Sequence, residues 1–242
     1  MYGLIGKPLG HSFSADFFNR KFKKEAINES YHLFPLESIE MFPELISSNP
    51  DLHGLNVTLP YKQAVIKFLD RLDNAAEEIG AVNVIKRLSD GSLIGYNSDA
   101  IGFCNSLKPL LMPHMKRAIV LGTGGASKAV VYVLRKLGIE VTSVSRNPAE
   151  GQISYCQITA GILDNHHIII NTTPLGMWPN IEAAPDIPYH LLSPRHLCYD
   201  LVYNPEVTTF MRKALEQGAM VKNGLDMLHG QALAAWEIWN NK

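Results

Sequence analysis

Lys62 closes the heptapeptide Asn56-Val57-Thr58-Leu59-Pro60-Tyr61-Lys62. A lysine delivered by a buried strand to the mouth of a sheet is placed to move a proton. The run Leu55 to Leu59 is apolar and predicts such a strand, while Pro60 suits the first position of a helix continuing through Tyr61 to Leu72. Asn56 and Thr58 then share one strand face beside Lys62. Partial withdrawal from water favours the neutral amine, which makes a lysine usable as an acid or a base. The segment taken alone reads equally well as a solvated lysine in a first helical turn.

Further polar residues fall where predicted strands and turns end: Ser12 and Ser14, Asn83, Asn97 and Asp99. Hydroxyls, amides and one Lys/Asp pair suit a small, neutral-to-anionic, polyhydroxylated molecule. Ser14, Ser98 and Asp99 each also read as helix caps, because their side chains accept hydrogen bonds from free helical amides.

A second kind of chemistry is written in Gly122-Thr123-Gly124-Gly125-Ala126-Ser127, which follows the apolar strand Ala118 to Leu121 and precedes a helix from Lys128 to Leu137. Gly122 permits a tight exit from the strand, and Gly124 leaves room for a pyrophosphate. Free amides near Gly125 and Ala126 favour that anion at the helix N-terminus. Ser127 stands where the pattern usually ends in Gly or Ala. At the end of the next strand, Glu140 to Ser145, an acidic residue would hold a ribose 2′-hydroxyl. The chain has Ser145-Arg146-Asn147 instead, and a guanidinium there suits a 2′-phosphate, so NADP is expected over NAD. A bare strand-to-helix turn and a solvated arginine are the simpler readings of the same residues.

The elements that must hold these groups alternate. Short strands at Tyr2 to Ile5, Tyr31 to Pro35 and Gly54 to Leu59 are separated by helices at about Ser14 to Glu25 and Ile39 to Ser47. A short helical piece, Asn74 to Ile79, leads to a hairpin of Val82 to Leu88 and Ser92 to Tyr96 around Asp90-Gly91. Ala100 to Leu111 reads as a helix capped by Ser98 or Asp99. Beyond Pro113 a βαβ unit begins, and strands at His167 to Asn171, Leu197 to Leu201 and Ala219 to Lys222 extend it, with a helix at Val207 to Gln217, into a doubly wound sheet. The last helix, Leu225 to Trp239, is apolar on more than one face and is expected to pack between domains. The class is α/β, in two domains: residues 1–99 with a mainly parallel sheet, completed by the C-terminal helix 224–242, and the doubly wound 100–223.

Bulk properties narrow the partners. With 242 residues, 46% apolar, the chain can bury a substantial core. Its 22 basic and 23 acidic residues give a formal charge of −1, so no global field recruits nucleic acid or an anionic membrane. Cys104, Cys156 and Cys198 are widely spaced and read as reduced structural thiols, and no metal site is expected. The N-terminus has neither a basic start nor a long apolar stretch, and no run reaches the roughly 18 residues of a membrane span. A cytoplasmic location is expected.

These residues resemble the shikimate dehydrogenase family over nearly the whole chain. Gly10-His11-Ser12-Phe13-Ser14 resembles the family's substrate-carboxylate segment, and residues 56–62 its catalytic-lysine segment. Gly80-Ala81-Val82-Asn83 and Gly95-Tyr96-Asn97-Ser98-Asp99 match two further substrate motifs in order and spacing. The glycine turn, Asn171-Thr172-Thr173-Pro174-Leu175-Gly176-Met177, Tyr199-Asp200-Leu201-Val202-Tyr203-Asn204-Pro205 and Asn223-Gly224-Leu225-Asp226-Met227-Leu228 complete the series. The resemblance implies a Rossmann-type second domain and reversible NADP(H)-dependent reduction of 3-dehydroshikimate to shikimate, for aromatic amino acid synthesis. It implies that Ser12, Ser14 and Tyr203 hold the carboxylate, that Thr58, Asn83, Asp99 and Gln231 hold ring hydroxyls, and that Lys62 and Asp99 form the catalytic pair. Gly224, Met227 and Met177 would line the nicotinamide pocket, with Thr172 and Leu201 in the cofactor motifs. The assembly implied is a monomer or homodimer.

The chain also departs from the family. Pro148-Ala149-Glu150-Gly151 follows Arg146 where a second basic residue and a full helix are common. Ala15 and Phe18 replace a frequent proline and histidine. The extra C-terminal helix of many relatives is not expected after Trp239. A quinate or dual shikimate/quinate dehydrogenase would use the same polar set. A non-catalytic sensor would need no Lys/Asp pair, and a folate-linked dehydrogenase would not be expected to carry the two serines.

Overall fold

The computed structural model describes residues 1–10 and 12–241. They form two units: Met1–Ile101 together with the stretch from Gln231 onward, and Gly102–Gly230. The chain passes between them after Ile101 and after Gly230, so the last helix is divided, with its part from Gln231 onward joining the first unit.

In the first unit, β1 (Tyr2–Gly6) is buried throughout and pairs in parallel with both β2 (Tyr31–Pro35) and β3 (Gly54–Val57). β4 is the two-residue Arg71–Leu72, and β5 (Val84–Arg87) and β6 (Leu93–Tyr96) form the expected antiparallel hairpin. The sheet order is β2-β1-β3-β5-β6-β4, with three of the five pairings parallel. Strand periodicity divides the side chains between two cores. Ile5, Leu55, Val57 and Ile85 face one side, where Tyr61, Val65 and helices α2 (Phe42–Ser48) and α3 (Asn74–Ile79) supply Phe42 and Ala76. Tyr2, Leu4 and Val84 face the other, against Phe18 and Phe22 of α1 (Phe13–Lys24) and against Trp239. Trp239 donates its indole N–H to the Ile85 carbonyl at 3.0 Å.

Two expectations fail here. Residues 60–72 are not a helix: a turn leads into a 3-10 helix at Ala64–Phe68, and Arg71–Leu72 then pairs with β6. Asp70 fixes that edge, its side chain accepting from the Leu93 amide at 2.7 Å. Helix α4 (Ser98–Leu107) begins earlier than expected, and its cap is Asn97, which accepts from the Ala100 amide at 3.2 Å, rather than Ser98 or Asp99.

The second unit is a five-stranded parallel sheet of order β11-β10-β9-β7-β8. Its strands are β7 (Arg117–Leu121), β8 (Glu140–Val144), β9 (Ile168–Asn171), β10 (Leu197–Asp200) and β11 (Met220–Lys222). The helices are the greater part of α4, α5 (Gly125–Lys136), α6 (Ala160–Leu163), α7 (Thr209–Leu215) and the first part of α8 (Leu225–Asn240). The central strands β7 and β9 are almost wholly buried, as expected where helices cover both faces. The strand order reverses between β7 and β9, the switch point outside whose carboxyl ends such sheets take their ligands.

Candidate active site

In the first unit, Lys62 and Asp99 meet. Lys62 Nζ donates to Asp99 Oδ2 at 2.6 Å, and the two side chains are only 16% and 10% exposed. The turn at 59–63 delivers the lysine: the Tyr61 amide bonds to the Thr58 carbonyl and the Val82 amide to the Lys62 carbonyl. Because Asn97 caps α4, the carboxylate of Asp99 is released from capping and faces Lys62. Asn83 holds its other oxygen, donating to Asp99 Oδ1 at 2.9 Å. The amide of Asn83 is in turn fixed by the Ser98 backbone N–H at 2.7 Å, and it also reaches Ser98 Oγ at 3.0 Å and Gln231 Oε1 at 3.5 Å. Both carboxylate oxygens thus carry a strong, partly buried hydrogen bond. The ammonium retains two N–H donors beyond its bond to Asp99, enough for an incoming oxygen.

The expected neighbours divide into two sets. Lys62, Asn83, Asp99 and Gln231 form one hydrogen-bonded group. Asn56 joins it from the buried side, donating to the Asn83 carbonyl at 3.2 Å and accepting from the Tyr31 hydroxyl at 2.7 Å. Tyr31 also bonds to Ser14, and burial pushes its phenol well above the usual range. Tyr31 was not singled out in the sequence, because its link to Asn56 spans 25 residues. The bonds of Ser12 and Thr58 run elsewhere: Ser12 caps α1 through the Ala15 amide, and the Thr58 amide bonds to the Ile5 carbonyl. His11 lies outside the described residues.

In the second unit the glycine turn has the form an anion requires. Gly122 adopts φ +101°, and a Cβ there would lie 2.9 Å from Thr172 Oγ1. Gly124 caps α5 without a side chain and faces open space, so the first amides of the helix meet no capping group. Ser127 closes the turn from within, its hydroxyl donating to the Gly122 carbonyl at 2.8 Å, which explains a serine where glycine or alanine is usual. Thr172 donates its hydroxyl to the Leu121 carbonyl at 2.7 Å. Ser145 is tied to Asn147, while Arg146 is exposed and makes no ion pair among the described residues. Met177 and Tyr203 are about half exposed and Met227 is buried. Gly224 is required by close packing, since a Cβ would strike the Leu201 carbonyl.

The turn, the open space at Gly124 and the unpaired Arg146 fit a phosphorylated dinucleotide. Among the described residues no cluster of His, Cys, Asp or Glu is arranged to hold a metal ion, and no helix is long and apolar enough to cross a membrane.

Residues 4–85 match the family model described as the shikimate dehydrogenase substrate binding domain. A shikimate dehydrogenase (NADP(+)) of Bacillus cereus is 35% identical over 260 residues, covering 100% of this chain and 93% of the relative. The crystal structure of shikimate dehydrogenase from Aquifex aeolicus superposes with a TM-score of 0.87 at 35% identity, covering 99% of this chain and 91% of the other. The Thermus thermophilus shikimate 5-dehydrogenase, solved in complex with NADP(H) and shikimate, gives a TM-score of 0.87 at 31% identity, covering 99% and 92%. With its two-unit α/β fold, its glycine turn and a likeness running the length of the relatives, the chain belongs to the shikimate dehydrogenase family.

Proposed function

We propose that this protein is an NADP-dependent shikimate dehydrogenase that reversibly reduces 3-dehydroshikimate to shikimate, with Lys62 and Asp99 as its catalytic pair. The single observation that carries the reading is their 2.6 Å ion pair, held by Asn83 among buried polar groups. The first unit, 1–101 with the end of α8, takes the ring acid, and the second takes the dinucleotide. Ser12, Ser14 and Tyr203 receive the carboxylate, and Thr58, Asn83, Asp99 and Gln231 the hydroxyls. Gly122, Gly124, Gly125 and Ala126 hold the pyrophosphate, Ser145 and Arg146 the 2′-phosphate, Met177, Gly224 and Met227 line the nicotinamide pocket, and Thr172 and Leu201 also serve the cofactor. A cytoplasmic location accords with this biosynthetic role.

NADPH, when bound, supplies the hydride that reaches C3 of 3-dehydroshikimate. Lys62 donates a proton to the C3 oxygen as its negative charge develops, so the carbonyl becomes a hydroxyl and the amine is left neutral until solvent reprotonates it. Asp99 orients the ammonium and keeps positive charge beside the reacting oxygen, an electrostatic as well as a positional contribution. In the oxidative direction the neutral amine accepts the same proton.

Shikimate and quinate should each be assayed with NADP and with NAD, following absorbance of the reduced nicotinamide. The reading requires shikimate with NADP to be the fastest of the four. Absence of turnover with shikimate and either dinucleotide would refute it.

A further inference from the structure

Asp200 is a fully buried carboxylate for which the proton transfer has no use. It ends β10 and accepts three hydrogen bonds: from Asn171 Nδ2 at 2.9 Å, from the Val202 amide at 3.0 Å and from the Thr208 hydroxyl at 2.6 Å. Three donors converging on two oxygens are the pattern of an ionised carboxylate, and two of them are amide N–H groups that cannot accept.

The partners of Asp200 organise two loops. Asn171 uses its Oδ1 for the amide and hydroxyl of Thr173, at 3.0 and 2.6 Å, and its Nδ2 also reaches the Leu175 carbonyl at 3.3 Å. Its own carbonyl accepts from the Leu201 amide at 2.9 Å. Thr208 caps α7 through the Met211 amide at 3.3 Å. The Val202 carbonyl accepts from the Gly224 amide at 3.2 Å, which brings in the turn before α8. On the far side Thr172 bonds to Leu121 and packs against Gly122 of the glycine turn. One carboxylate therefore ties the segments following β9 and β10 to each other, and through them to the ends of β7 and β11.

We propose that Asp200, with Asn171 and Thr208, is a positioning residue for the dinucleotide, holding the loops at 171–177 and 201–208 in the arrangement that receives its nicotinamide half. The proposal rests on the functional reading above, which gives Thr172, Met177 and Leu201 to the cofactor. Burial raises the Asp200 carboxyl to about 6 against the three hydrogen bonds that lower it, so an ionised group here is costly. An apolar side chain would fill the position at smaller cost if packing were its only task. Its return is order: loops fixed before binding need not be ordered by the ligand. The other titratable groups facing it, Cys198 and Tyr189, are both pushed upward by burial and stay neutral at physiological pH.

The test uses the full chain, with NADP as the probe in calorimetry. Asp200→Asn keeps the shape but presents an N–H2 group where donors already point. The NADP dissociation constant should rise on the order of tenfold, the effect of one lost hydrogen bond to a charged group. Shikimate affinity should be unchanged, and with no ligand present amide exchange in 171–177 and 201–208 should quicken. Thr208→Val should reproduce the loss and Thr208→Ser restore affinity, a pair that decides the matter if the Asn variant does not fold. Unchanged NADP affinity in Asp200→Asn or Thr208→Val, or a Thr208→Ser variant as weak as the valine one, overturns the proposal. A wild-type chain that binds no NADP would instead overturn the functional reading on which it rests.

Discussion

At the scale of single residues, Asn83 supports the ion pair of Lys62 and Asp99. Its side chain spans Asp99 and Ser98 and its carbonyl accepts from Asn56 and from the Val57 amide, so the residue proposed to hold a ring hydroxyl is also the brace of the carboxylate. Asn83→Ala should lower kcat by roughly tenfold or more through loss of positioning, a test made by steady-state kinetics with saturating shikimate. A change confined to KM would assign Asn83 to substrate contact alone. Arg146, which makes no ion pair among the described residues, should act on the 2′-phosphate only. Arg146→Ala is expected to raise the KM for NADP by roughly an order of magnitude and leave that for NAD nearly unchanged. Equal effects on both dinucleotides would remove the phosphate clamp from the account. That Lys62, Asn83 and Asp99 end strands and turns was legible in the sequence, because such ends carry local polar signals. The partners Tyr31 and Thr208 were not, since contacts across 25 residues, or a threonine that reads as an ordinary cap, leave no local pattern.

At the scale of elements, the sequence located nearly every strand of both sheets, because alternation and apolar runs are local signals. The failure at 60–72 has a physical cause. Tyr61, Val65, Phe68, Leu69 and Leu72 have helical spacing, yet Asp70 and the two residues after it are captured by β6, a partner more than 20 residues away. Misplacing the start of α4 by two residues came from taking Ser98 or Asp99 as its cap, and only the hydrogen bond from Ala100 to Asn97 shows why Asp99 is free to face Lys62. Ser127 makes a prediction at this scale. Its buried hydroxyl holds the exit of β7 to the start of α5, so Ser127→Ala should reduce unfolding free energy in urea by about 1 kcal/mol. No change would mean that the glycine turn holds its form unaided.

At the scale of the whole molecule, the chain forms two α/β units, the first of which takes up the last helix from Gln231 onward; we propose that the first serves the ring acid and the second the dinucleotide. The buried Asp200 leaves its mark on overall stability. Its folded-state pKa of about 6 lies above the ordinary carboxylate value, so folding favours the protonated form. The stability it contributes is therefore complete below the unfolded pKa and is lost as pH rises through about 6. Relative to Asp200→Asn, wild-type stability should fall by about 3 kcal/mol between pH 3.5 and 7.5, a figure set by the rise of the carboxyl from its ordinary value to about 6. Denaturant titrations of both proteins across that range check it, and parallel curves would contradict it. The central claim is that Lys62, paired with Asp99, moves the proton in shikimate oxidoreduction. Turnover of shikimate with NADP, followed at the reduced-nicotinamide band for the wild type and a folded Lys62→Ala variant, tests it most directly. A fall of at least roughly a hundredfold in kcat is predicted, and turnover close to that of the wild type would contradict the claim.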